Sequence, residues 1–137
     1  MKFLQKNQEL LSHQTNPPQT TILTTGTYTG SSTSQVELTS PVDAKNEERL
    51  SFQFINNDST GSNKDVIKVW GRLATTSGTL GSTSEGWTQI GDDIEVSGST
   101  SSLKAISTTG LYWCGVTINP TATHASLSSD WAMLRQA

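Results

Sequence analysis

Leu50-Ser51-Phe52-Gln53-Phe54 and Val66-Ile67-Lys68-Val69-Trp70-Gly71-Arg72-Leu73 are the stretches that decide the fold class. In the first, large apolar residues alternate with Ser and Gln, the period of a strand with one buried face. The second sorts into two rows. Ile67, Val69, Gly71 and Leu73 form one, and Val66, Lys68, Trp70 and Arg72 form the other. Cations are rarely buried unpaired. Trp70, flanked by two of them, is therefore expected on the outer face, or on a face closed by another subunit. A third stretch, residues 111–118, places Tyr112, Cys114, Val116 and Ile118 on one row and Trp113, Gly115 and Thr117 on the other. Trp113 is likewise expected to point away from the core.

Working outward, the same period recurs in shorter pieces: residues 22–29, 36–38, 87–90, 94–96, 103–106 and 131–134. With the turn signals between them, these make about eight or nine short strands. The expected fold is all-β, a single antiparallel β-sandwich of jelly-roll-like form over residues 21–137, with residues 1–20 as an N-terminal arm. The polar stretches 56–65 and 74–86 read as long surface loops that bury little apolar area and are the most mobile parts of the body.

Composition narrows the function. Only 32% of the 137 residues are hydrophobic and 15% charged, while Ser and Thr number 40, so the strands have polar faces and the core is small. The nine Lys and Arg are scattered and the net charge is -3, which argues against nucleic acid and against an anionic membrane. No run approaches the length of a membrane span. The start, Met1-Lys2-Phe3-Leu4-Gln5-Lys6, lacks the apolar stretch of a signal peptide and implies synthesis in a cytoplasm. Cys114 is the single cysteine, which rules out an internal disulfide and any zinc site with two or more cysteines.

The residues give little chemistry to build an enzyme on. His13 lies in the arm and His124 in a Thr/Ala/Ser segment, and neither belongs to a recognisable triad. Asp92-Asp93 with Glu95 is the densest acidic spot. It reads as a polar turn between Ile90 and Ile94 rather than as an acid/base pair or calcium site. Residues 56–61 echo a calcium loop faintly, without the Glu such a loop needs. The expectation is no catalytic residue, no cofactor and no metal.

Binding has better candidates. Phe3, Leu4, Leu10 and Leu11 share one side of a short helical pattern that Asn16-Pro17-Pro18 ends. The segment is either a frayed terminus or an arm that orders against a partner. Lys68, Trp70 and Arg72 on one strand, and Trp113 on another, are the candidate interface residues of the body. Aromatics beside Arg are enriched at such sites.

The stretches Val66-Ile67-Lys68-Val69-Trp70-Gly71, Gly86-Trp87-Thr88-Gln89-Ile90-Gly91 and Gly110-Leu111-Tyr112-Trp113-Cys114-Gly115-Val116-Thr117-Ile118 together resemble small β-sandwich virion proteins of tailed bacteriophages. The resemblance covers residues 66–118 and is one of strand rhythm. It implies a structural virion protein on the capsid surface, a decoration or cement protein made in the host cytoplasm. Its partners would be the major capsid protein and neighbouring copies in a homo-oligomer, with the arm gripping the shell. The alternative it leaves open is a carbohydrate- or receptor-binding module of a phage fibre; a tail or connector completion protein is a third. If neither metal nor disulfide holds the domain, thermal melts with and without EDTA, and with and without reductant, will superimpose. A fall of many degrees in EDTA would expose a missed cation site.

Overall fold

The computed structural model describes residues 21–30, 33–121 and 128–137. Among them nine strands form two sheets: β1 (Thr21–Tyr28), β2 (Val36–Glu37), β3 (Val42–Asp43), β4 (Arg49–Asn56), β5 (Lys64–Arg72), β6 (Thr88–Ser97), β7 (Thr100–Ser107), β8 (Trp113–Pro120) and β9 (Ser129–Gln136). Sheet A has the order β1-β9-β4-β7 and sheet B the order β2-β8-β5-β6, with β3 also on β8. All pairings are antiparallel. Since β2 and β3 lie along the same side of β8, they act as one interrupted strand. That leaves four strands per sheet. The chain passes from one sheet to the other at each connection except β5–β6, which is the arrangement of a jelly roll.

The core lies between the sheets. Alternation supplies it: Leu50, Phe52 and Phe54 from β4, Met133 from β9, Ile67 and Val69 from β5, and Cys114, Val116 and Ile118 from β8 are all buried in one cluster. Phe52 and Trp131 stack across neighbouring strands with ring centres 6.1 Å apart. Each large side chain buried there contributes about 1.5–3 kcal/mol. The split of β5 into an inner row and an outer row follows the sequence, as does that of β8.

Three details differ from the sequence reading. The apolar pieces 87–90 and 94–96 belong to one strand, β6. Opposite β5, the pairs Ile67–Ile94 and Val69–Ile90 leave Lys68 facing three residues, Gly91, Asp92 and Asp93. Gly91 takes a left-handed φ of 73° at this bulge, which a side chain would strain. The acidic spot is thus a bulge inside a strand and not a turn between two. Next, β5 ends at Arg72, so Leu73 is exposed and not part of the inner row. Last, β3 was not legible, because two paired residues carry no period.

The loop 56–65 is knitted by its own polar groups. Asn56 is buried; its amide donates to the carbonyls of Asn63 (3.2 Å) and Val96 (2.9 Å), while its oxygen accepts from the Asp58 backbone N–H (3.0 Å). The Asp58 carboxylate accepts from the Thr60 N–H (2.8 Å) and from the Asn63 amide (2.9 Å). The bonds from the Asp58 and Thr60 N–H groups are Asx-type turns, the ordinary use of Asn and Asp in a tight connection, while the Asn56 amide ties the loop to β6 through Val96.

At the other end of the sandwich, Arg135 donates to Glu47 at 2.8 Å, and both side chains are largely buried. Burial raises the Glu47 carboxyl pKa; the Arg135 charge opposes this, and Asp43 adds to the rise. A raised carboxyl pKa links stability to protonation. The contribution is fully present below the unfolded value of 4.5 and is lost as pH rises through the folded value. The difference in melting temperature between wild type and Glu47→Gln should therefore shift in favour of the wild type as pH falls from neutrality towards 4. A difference independent of pH would mean that Glu47 titrates in the fold as it does in the unfolded chain.

Candidate functional site

The sequence candidates divide into three places. Phe3, Leu4, Leu10, Leu11 and His13 lie outside the described residues, as does His124. Lys68, Trp70, Arg72 and Trp113 do share the outer face of sheet B, as their alternation predicts. That face is not open. The segment 74–87 folds back over it, so Trp70 is only 6% exposed and packs with Leu80 and Trp87, with Trp113 against the same cluster.

Hydrogen bonds fix this cover and the indole beneath it. The Trp70 indole N–H donates to Thr117 Oγ1 at 2.8 Å, that of Trp87 to the Ser77 carbonyl at 3.1 Å, and that of Trp113 to the Ala74 carbonyl at 3.1 Å. Arg72 Nη1 donates to the Thr76 carbonyl at 2.8 Å. Lys68, partly exposed, pairs with Asp93 at 3.7 Å. The expectation of an open aromatic anchor at Trp70 is corrected: its own chain supplies the covering surface. The expectation that residues 74–86 bury little apolar area is corrected with it, since Leu80 and the adjoining Trp87 are core side chains. Gly115 makes the contact possible, because a Cβ there would come within 2.6 Å of Leu80 Cδ1. The missed signal was Leu80, a single apolar residue in a Ser/Thr/Gly run.

Cys114 is buried. Burial, then the negative charge of Glu47, pushes its thiol up to about 12, with Arg135 pulling the other way. Asp92, Asp93 and Glu95 are exposed on the β6 bulge and strand, where Asp93 accepts from Gln89 at 2.7 Å and Glu95 pairs with Lys64 at 3.7 Å. Among the described residues no three His, Cys, Asp or Glu side chains converge on a possible metal position. Tyr112 is capped by Lys45, whose ammonium sits 4.7 Å from the ring centre.

What remains open is the outer face of sheet A, which sequence reasoning did not single out. Register places its side chains in rows across four strands: Leu23–Leu134–Ser51–Ala105, and next to it Thr25–Ala132–Gln53–Leu103. Leu23 is 64% exposed and Leu103 67%. Between them lies a shallow groove of about 340 Å³, lined by Leu23, Ser51, Gln53, Leu103, Ala105, Ala132 and Leu134 and free of charge. A second depression of about 330 Å³ continues it past Thr25, Ile55 and Trp131. Arg49 and Asp130 mark the two ends of the face. A neutral, partly aliphatic sheet face with a polar rim is the kind of surface that another protein covers. The alternation in β1, β7 and β9 was its signal, hidden because each strand contributes one or two apolar residues.

No family model matches the chain, and no curated protein matches it. Among solved structures, a protein described under Bacillus endospore appendages, a family of disulfide-linked pili, is similar with a TM-score of 0.45 at 13% identity, over 86% of this chain and 84% of that one. The Yersinia pseudotuberculosis-derived mitogen is similar with a TM-score of 0.39 at 12% identity, over 86% of each chain. Likeness this distant says nothing of what this chain binds. Neither description is of a phage protein.

Trp70→Ala should cost the isolated domain about 3–5 kcal/mol in urea unfolding, as truncation of a buried aromatic does. Trp70→Phe keeps most of the volume and loses the bond to Thr117, so it should cost less. If Trp70→Ala unfolds at the wild-type urea concentration, the loop does not hold the indole.

Proposed function

We propose that this protein is a non-enzymatic structural protein that docks through the outer face of sheet A, and that it decorates the surface of a phage capsid. The observation that carries the docking reading is the charge-free centre of that face, with Leu23 and Leu103 each about two-thirds exposed. The virion setting is supported by the strand rhythm over residues 66–118, by a fold class that also serves capsid and lectin domains, and by the apolar side chains of the arm. On this reading the partners are the major capsid protein and neighbouring copies, and the protein is made in the host cytoplasm. No nucleic acid, membrane, metal or cofactor has a part in it.

The alternative, a carbohydrate- or receptor-binding module of a fibre, draws on exposed aromatic rings. Among the described residues the exposed large apolar side chains are Ile22, Leu23, Ile55, Leu73 and Leu103, all aliphatic. Aliphatic side chains suit protein contact better than they suit stacking on a sugar. This supports assembly over sugar binding.

Burying the exposed two-thirds of Leu23 and Leu103 against a partner contributes about 1–2 kcal/mol each. Leu23→Ser with Leu103→Ser should therefore weaken co-sedimentation with empty capsids by at least about thirtyfold. The melt should stay nearly unchanged, since both side chains are exposed in the isolated domain. Undiminished capsid binding by a folded double variant would place the contact elsewhere.

A further inference from the structure

A sheet ends in edge strands whose unpaired backbone groups are templates for another chain, and proteins blunt such edges with recognisable devices. Three of the four edges here carry one. The β2–β3 edge is made of two-residue strands with Pro41 between them. The β6 edge is broken by the Gly91-Asp92-Asp93 bulge, with two exposed carboxylates. The β7 edge sets Lys104 opposite Phe52, a charged residue turned towards the inner side of the sheet.

The fourth edge, β1, has none of these. Thr21-Ile22-Leu23-Thr24-Thr25-Gly26-Thr27-Tyr28 holds no charge and no proline, and it pairs with β9 through eight residues without a register shift. Its first five residues are exposed although successive side chains point to opposite faces, so neither face of that half is covered by any of the described residues. Ile22 on one side and Leu23 on the other are both left open. Such a strand is suited to take up another strand.

We propose that β1 is a self-association edge: two copies of this chain pair β1 to β1, antiparallel, about a two-fold axis perpendicular to the sheet. The absence of charge means that no like charges meet in this pairing. The other three edges are blunted, so a head-to-tail contact of β1 with a different edge is disfavoured and the assembly closes at two. The axis keeps both outer faces on one side, so two four-stranded sheets become one of eight, and the two aliphatic grooves adjoin. The pairing holds or fails independently of what those grooves bind.

The test is sedimentation of the full chain over a range of concentrations, with amide hydrogen exchange read on the same samples. The expected result is a monomer–dimer equilibrium in which amides of residues 21–28 gain protection as the dimer fills, while those of β7 do not change. Thr24→Lys with Thr25→Lys places cations against their symmetry mates. It should raise the dimer dissociation constant by at least about tenfold with little change in the melt. If the double variant does not fold, the exchange data on the wild type decide. A monomer at every concentration would overturn the proposal, including one whose β1 amides are already protected by some other segment. So would a dimer whose β1 amides exchange as in the monomer, or growth into open-ended polymers.

Discussion

Strand β5 has protein on both of its faces, and the arrangement of the domain follows from that. Its inner residues Ile67 and Val69 share the main core with Phe52, Phe54 and Met133 of the facing sheet. Its outer residue Trp70 belongs to a second cluster with Leu80 and Trp87. A chain with so few apolar residues cannot fill a thick core, so it places two thin ones on either side of the same strand. The main core needs the two sheets, while the second needs only a loop with one leucine and one tryptophan in the right places. Gly115 on β8 lowers the sheet surface where Leu80 sits, and indole N–H groups bonded to loop carbonyls or to Thr117 remove the polar cost of burying the rings.

This cover makes the two outer faces unequal. Sheet B is closed by its own chain, and its outer face also carries Lys68 and Arg72 on β5, with Asp92 and Asp93 on the β6 bulge. Sheet A has no covering segment among the described residues, and its central rows hold Leu, Ala, Ser, Thr and Gln. Solvation of that face rests on hydroxyls and amides rather than on charges. Such groups are cheaper to desolvate than ions, and they leave a partner free to approach without an unpaired buried charge. A face of this kind is soluble in the free protein and still available for docking.

The edges divide in the same direction. Blunting by a bulge, by a short interrupted strand and by an inward-turned lysine directs any strand pairing to β1, which borders the open face. Association at that edge would enlarge the neutral surface without covering it. The proposed docking and self-association would therefore use neighbouring but separate parts of sheet A.

The sequence by itself determined the class of fold and the row to which most side chains belong. Alternation is a local property with a period of two, and Leu50–Phe54, Val66–Arg72 and Cys114–Ile118 state it without reference to anything distant. It correctly put Trp70 and Trp113 on the far side of sheet B, but it could not say what lies over them. That depended on residues 74–87 crossing back, and on Leu80, a lone apolar residue with no period to announce it. The open face of sheet A is a product of register. Leu23 and Leu103 lie 80 positions apart in the sequence and Leu103 and Ala132 lie 29 apart, and only hydrogen-bonded pairing sets them in one face. The bareness of β1 is likewise a matter of position: the same eight residues in the middle of a sheet would be an ordinary strand. Periodicity is written into consecutive residues, whereas coverage and edge position are relations between distant ones, and these only the tertiary structure decides.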